Sequence, residues 1–324
     1  MRAGGRWWAV ALAVAVVAWA VAVPRLGLGQ LALWEDVAIQ VLFATSVNLL
    51  LGYANIPSFG QAAFYGAGAY TVALLAQSAW PPLAALAAAV AVAAALAFVT
   101  GLITSRVTGL AFSMVTLAIG QVLYTFVLQS NAAGGEGGIS GVAPPARGLF
   151  DLTQPVHLWW FILLCVAVAM LALWWVVSSP FGRALTAIRE DPKRAAFLGI
   201  AVRRYRVMAF TIAGGAAGLA GGLYAYSTTI VAPAVLNWTQ SASPIMMALV
   251  GGMHTFLGPA LGAVLITWLL YVLGQATRAY LLYVGVVLLA FVLLVPRGIV
   301  SIPDLLRRLA GGRRATGAAP EVTP

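Results

Sequence analysis

The sequence predicts an all-α fold, a polytopic transmembrane helical bundle of about ten membrane crossings. Three observations predict it. Of 324 residues, 62% are hydrophobic and only 8% charged, against ~25% charged in a soluble globular chain, so these residues cannot build a solvated surface. The apolar residues come in runs of the length that spans a bilayer, ~20 residues each. The basic residues, which set a formal net charge of +10, gather in a few short connections. That pattern fixes membrane orientation rather than gripping nucleic acid.

The first run, Trp7–Val23, follows Arg2 and Arg6 and ends near Ala20-Val21-Ala22, which resembles a signal cleavage site. Its length and its Trp7, Trp8 and Trp19 favour an uncleaved first span. The following spans are Leu33–Leu51, Ser58–Gln77, Leu83–Ile103, Val107–Leu128, Leu158–Val177 and Val207–Thr228. A broken stretch from Ser243 to Gly274 contains Gly251, Gly252, Gly258 and Pro259. It divides into a short piece, Ser243–Phe256, and a full one, Gly258–Leu273. Tyr280–Val295 is the last span.

Charge tests the count. With the N-terminus inside, 15 of 18 basic residues lie on the inner side, and only Arg25, Arg147 and Arg278 fall outside. The inner loop Ser178–Arg206 then carries seven of them, and Gln129–His157 faces out. Residues 1–306 form the transmembrane domain and 307–324 a basic, disordered tail, with both termini cytoplasmic in a bacterial-type plasma membrane. The acidic residues, Glu35 and Asp36 among them, fall at span ends, in loops or in the tail. A carrier driven by protons or sodium commonly needs an ionisable group at membrane depth, so this placement argues against one.

Two segments break the helical pattern. Tyr53 to Tyr70 reads YANIPSFGQAAFYGAGAY, in which Gly60, Gly66 and Gly68 with several alanines make a narrow helix, and Pro57-Ser58 marks its start. Thr255 to Gly262 has a similar character in the second half. One interrupted segment per half points to an inverted internal repeat around a site at mid-membrane.

No catalytic constellation is present. The chain lacks a G-x-x-x-x-G-K-[ST] loop, its only lysine is Lys193, and His157 and His254 have no metal-ligand spacing. No cofactor or metal is expected in this chain, and Cys165 reads as a small apolar residue. Asn48, Thr116 and Gln121 are polar residues inside spans, where each needs a partner or water. They are candidates for a translocation pathway, together with Asn55, Ser58, Gly60, Gln61 and His254.

The inner loop is the most informative segment. In SPFGRALTAIREDPKRAAFLGI, Ser179 to Ile200, residues Ala184, Leu185 and Ile188 share one helical face. Asp191 is placed to cap a second short helix, with Pro192 at its first position and Gly199 at its end. An apolar stripe on a cationic loop suits either docking to a cytosolic partner or resting on anionic lipid.

Gly182 to Ala195 closely resembles the coupling loop of the permease subunits of branched-chain amino-acid ABC importers, in which a glycine precedes an alanine and an I-R-E-D/N run. GYANIPSFGQAAFYGAGAY from Gly52, MVTLAIGQVL from Met114, GGEGGISG from Gly134 and the stretch from Arg203 to Ala225 resemble the same family in the same order, its M-type member more than its H-type member. The resemblance covers roughly Leu49 to Ala263. There are departures: Gln61 stands where the family usually has histidine, Gly137 lies where it often has aspartate nearby, and Asn55-Ile56-Pro57 replaces a glycine-containing turn. These bear on substrate more than on the machine.

The resemblance implies a transport subunit rather than an enzyme, working by alternating access. It implies a second homologous permease, two cytoplasmic ATPase subunits and a soluble extracytoplasmic binding protein as partners. It implies that Gly182, Arg183, Ala184, Leu185, Ala187, Ile188, Arg189, Glu190 and Asp191 form the coupling surface, with Ala184, Leu185 and Ile188 burying apolar area on the ATPase. An ion-coupled secondary transporter and a membrane assembly protein are the alternatives.

Overall fold

The computed structural model describes residues 22–25, 27–78, 80–107, 109–142, 152–277, 279–294 and 298–301. Most of the expected first span, the stretch 143–151 of the outer loop and the basic tail lie outside the described residues. Among those residues the chain forms eleven α-helices. They are α1 (Leu28–Ala54), α2 (Gln61–Gln77), α3 (Pro82–Thr104), α4 (Leu110–Gln129), α5 (Pro155–Ser178), α6 (Pro180–Glu190), α7 (Pro192–Phe197), α8 (Val202–Thr228), α9 (Trp238–Gly251), α10 (Gly258–Ala276) and α11 (Tyr280–Leu294). Two short strands, β1 (Ile139–Ser140) and β2 (Ile230–Val231), pair antiparallel with Ile139 opposite Val231.

The all-α polytopic expectation holds. α1, α3, α4, α5, α8 and α10 are long and apolar enough to cross a membrane. Three more expected crossings coincide with shorter helices: 17 residues in α2, 14 in α9 and 15 in α11. Proline sets several starts. Pro82, Pro155, Pro180 and Pro192 each stand in the first turn, where a missing N–H costs nothing. Glu35 and Asp36, expected at a span end, lie two turns inside α1 because that helix begins at Leu28. Glu35 is buried and accepts a hydrogen bond from Ser227 Oγ at 2.7 Å.

The core is built on small residues. α8 runs antiparallel to α3, and Gly214, Gly218 and Gly222 lie against Ala97, Ala93 and Ala89, a four-residue spacing on both helices. A Cβ on Gly214 would overlap Ala97 Cβ, and one on Gly218 would overlap Ala93 Cβ. α2 closes on the adjoining face of α8: Gly68 lies on the Gly218 carbonyl and Gly221 on the Tyr65 carbonyl. Lipid tails are as apolar as leucine, so helices in a bilayer associate through contacts that close approach allows. Phe64 and Phe112 pack edge-on to Phe210, with ring centroids 5.5 and 5.8 Å apart. α1 runs through the middle, with Ile39, Leu42 and Leu50 fully buried.

The bundle has two distinct ends. At one, α6 and α7 lie beside the C-termini of α1 and α3 and the N-terminus of α8, where Arg203 Nε donates to Ser105 Oγ at 2.9 Å. At the other, β1 and β2 pair, and Glu35 of α1 meets Ser227 of α8.

Candidate functional site

Two short helices start deep in the bundle and run in opposite directions. α1 ends at Asn55, which takes the left-handed conformation (φ 53°). The chain then continues without helix to Gly60, and α2 begins at Gln61. From there α2 runs alongside α8 toward the β end, with Phe64 beside Gly214 and Val72 beside Gly222. From the β end, the chain passes from β2 into a 3₁₀ turn, Pro233–Leu236, whose Pro233, Val235 and Leu236 are buried. Asn237 Oδ1 then accepts from Thr239 N at 3.1 Å and caps α9. α9 runs to Gly251 at the α6 end, where Met253 O meets Gly52.

The two starts touch. Ala62 N donates to Ser241 Oγ at 2.8 Å, and Gly66 packs on the Leu236 side chain. α4 closes the junction: Ser113 Oγ donates to Pro57 O at 2.7 Å, and Gly60 lies on the Thr116 carbonyl. Ser58 Oγ accepts from Gly60 N at 3.3 Å. The structure thus gathers the predicted Ser58, Gly60, Gln61 and Thr116, and adds Ser113 and Ser241, which sequence reasoning missed. Ser241 lies just before the expected short span, outside every segment assigned to a helix.

Gln61 is the unusual residue of this junction. It is fully buried, and neither its Oε1 nor its Nε2 has a hydrogen-bond partner among the described residues. A buried amide left this way costs ~1–3 kcal/mol per group. It sits on the first turn of α2, where the helix presents its positive end.

The second interrupted segment needs correction. The break at Gly252–Leu257 exists, with Gly252 at φ 116°, but it is a turn at the α6 end and not a mid-bundle feature. The element that answers α2 is α9, behind the turn Pro233–Leu236. The helix starts at Trp238, ahead of the expected Ser243, because Asn237 caps it.

The other pathway candidates lie elsewhere. Asn48 is buried in α1 and its Nδ2 donates to Thr255 O at 3.2 Å, while its Oδ1 has no partner among the described residues. His254 belongs to the same turn and accepts at Nδ1 from Arg189 Nη1 at 3.2 Å. Asn55 is exposed at the α6 end. Gln121 is half-buried on α4, with its carbonyl accepting from Thr125.

The inner loop folds as two capped helices. Ser179 Oγ accepts from Phe181 N at 3.2 Å at the start of α6. Asp191 Oδ1 accepts from Lys193 N at 2.9 Å and Arg194 N at 3.1 Å, Pro192 opens α7, and Gly199 follows its end with φ 83°. The caps read from sequence are all in place. The Arg194 N–H bond, helped by that of Lys193 and the nearby cations, holds the Asp191 carboxyl below its usual range.

The apolar stripe faces the other way from expectation. Leu185 and Ile188 are fully buried within this chain, and Gly182 packs on the Val177 carbonyl of α5. The Leu185 and Ile188 side chains hold α6 to the bundle. Ala184 is half-buried and Arg183 exposed. Arg189 also turns inward: Nη1 donates to Gly52 O at 2.9 Å, and Nη2 pairs with Glu190 at 2.7 Å. The open surface is a groove lined by Ala187, Glu190, Asp191, Arg194, Ala195 and Leu198. Helical periodicity shows which residues share a face, but not which side of a surface helix the bundle covers.

Residues 30–296 match the family model described as "Branched-chain amino acid transport system / permease component". The chain is 27% identical to the high-affinity branched-chain amino acid transport system permease protein LivM of Escherichia coli (strain K12), over 94% of this chain and 76% of that protein. It is 26% identical to the probable branched-chain amino acid transport permease protein LivH of Methanocaldococcus jannaschii, over 82% of this chain and 89% of that one. A third relative is the autoinducer 2 import system permease protein LsrC of Salmonella typhi, 32% identical over 37% of each chain. No solved structure matches this chain.

Proposed function

The chain belongs to the family of permease components of branched-chain amino acid transport systems, and from that premise we propose that it is the membrane-spanning subunit of an ATP-driven importer for branched-chain or related amino acids. The relatives matched over most of this chain, LivM and LivH, are named as permeases of branched-chain amino acids. Both names support a second permease beside this one. In this reading two ATPase subunits dock at the α6 end, and a soluble binding protein delivers substrate at the β end.

The observation that carries the reading is the inner loop. α6 is anchored by Leu185, Ile188 and Arg189, and it leaves a groove from Ala187 to Leu198 open. A rigid helix fixed to the bundle on one side and open on the other can receive an ATPase movement and pass it on. Arg189 carries that movement to Gly52 of α1, and His254 and Asn48 to the turn that starts α10. The junction of α2 and α9 is the element such a movement rearranges. Ser58, Gly60, Gln61, Thr116, Ser113 and Ser241 form the polar part of the pathway, with the unpaired amide of Gln61 free to bond a solute once such a movement uncovers it.

Glu35 favours a second reading. A carboxylate buried two turns inside α1 is what an ion-coupled carrier uses. One experiment separates the two. The chain is reconstituted in vesicles with its partner permease, ATPases and binding protein, and uptake of labelled leucine is measured with ATP and with ion gradients. ATP-dependent uptake that needs every partner is expected. Uptake by this chain alone, driven by a proton or sodium gradient, overturns the importer reading.

A further inference from the structure

A pocket at the α6 end is not used by the pathway described above. Asn55, Ile56 and Pro57 line it from the α1–α2 connection, and Thr104 and Ser105 from the end of α3. Gly109 and Phe112 at the start of α4, and Arg206 and Phe210 of α8, line the rest of a small cavity of about 30 Å³ that opens to the surface. Arg206 is its only charged lining residue among the described residues. The Nε of Arg206 is buried and has no hydrogen-bond partner among the described residues. A guanidinium placed this way gains most from an anion with several acceptor oxygens.

The surroundings favour the same ligand. No carboxylate lines the pocket among the described residues, while Arg106, Arg203 and Arg204 stand exposed nearby, Arg203 bonded to Ser105. The chain enters α4 through Gly109 with no side-chain cap, so its first-turn N–H groups add a positive end. The position of the pocket points to the source of the anion. Ile103 and Leu110, on either side of the α3–α4 turn, are 60% and 83% exposed. In a membrane-spanning helix such side chains meet acyl chains. The pocket therefore lies where a lipid on the α3–α4 face would carry its headgroup.

We infer that this pocket is a phosphate site, and that it holds the headgroup of an anionic phospholipid through Arg206. The site is separate from solute transport and does not depend on the importer reading.

The test is native mass spectrometry of the full chain, delipidated in detergent and titrated separately with phosphatidylglycerol, diacylglycerol and inorganic phosphate. The wild type is expected to keep one phosphatidylglycerol at concentrations where diacylglycerol gives no adduct. Arg206→Gln is expected to bind that lipid about tenfold or more weakly, and Arg204→Gln as the wild type does. Arg206→Lys keeps the charge but loses Nε, and is expected to fall between; it serves where Arg206→Gln fails to purify. Equal lipid retention by the Arg206 variants overturns the site. Inorganic phosphate binding without a lipid adduct overturns the lipid source.

Discussion

Arg189 of α6 reaches back across the chain and donates to the carbonyl of Gly52, in the last turn of α1, at 2.9 Å. The same nitrogen lies 3.2 Å from His254 Nδ1. One side chain therefore joins the surface helix to the central helix and to the turn before α10. Gly52 permits this because any side chain there would run into Met253 O and the Asn48 amide. Hydrogen bonds to a charged group are worth ~1.5–3 kcal/mol, so under the proposed importer function Arg189→Ala is expected to reduce substrate-stimulated ATP hydrolysis of the assembled complex about tenfold while basal hydrolysis persists. Arg189→Lys should recover part of it. Unchanged stimulation in Arg189→Ala would show that movement passes by another route.

The corrected orientation of α6 separates two groups of variants. Leu185→Ala and Ile188→Ala remove apolar groups buried within the chain, and each should lower its stability by ~2–5 kcal/mol. Gly182→Trp should behave like them, since Gly182 lies on the Val177 carbonyl. Ala187→Trp faces the groove and should leave thermal stability unchanged while abolishing stimulated hydrolysis. Glu190→Gln should be milder, because an exposed ion pair contributes ~1 kcal/mol or less. Thermal melts of the purified chain, set beside ATPase assays of the complex, read the two effects independently.

Gln61 makes an opposite pairing of stability and activity. Its amide is buried without partners among the described residues. Gln61→Leu should therefore leave stability unchanged or raise it, by up to ~1–3 kcal/mol. If the α2–α9 junction handles substrate, the same variant should lose most uptake. A Gln61→Leu chain that transports normally would make this glutamine a bystander.

The helix interface of α3 and α8 depends on space. Gly218→Val should destabilise the bundle by ~1–3 kcal/mol or more, because Ala93 and the Ala89 carbonyl fill the space a side chain needs. Gly274→Ala, with nothing within 4 Å, should be neutral or stabilising by up to ~1 kcal/mol. The measure is the midpoint of thermal unfolding in detergent.

Orientation is open to direct measurement. In a Cys165→Ala background, a cysteine at position 187 should react with an impermeant maleimide only in inverted vesicles, and one at 136 only in intact cells. Labelling at 187 from outside would reverse the bundle.

The sequence by itself determined the features that are local in the chain. Apolar length located the membrane helices among the described residues, though not the start of α9, since a bilayer demands about the same length of any span. The shared face of Ala184, Leu185 and Ile188 marked the first inner helix, and Asp191, Pro192 and Gly199 the second, because helical spacing and capping depend on neighbours within four residues. The family motif around Gly182 to Ala195 lay in one continuous stretch, and the matched family model agrees with it. Tertiary structure alone decided what faces what. It turned Leu185, Ile188 and Arg189 inward, brought Ser241 to Ala62 across 179 positions, and set α9 rather than Thr255–Gly262 against α2. In an apolar chain the same residue types line the lipid, the core and the interfaces, so periodicity carries no sign of direction. Only the close packing of small residues, Gly218 on Ala93 and Gly66 on Leu236, assigns each face its neighbour.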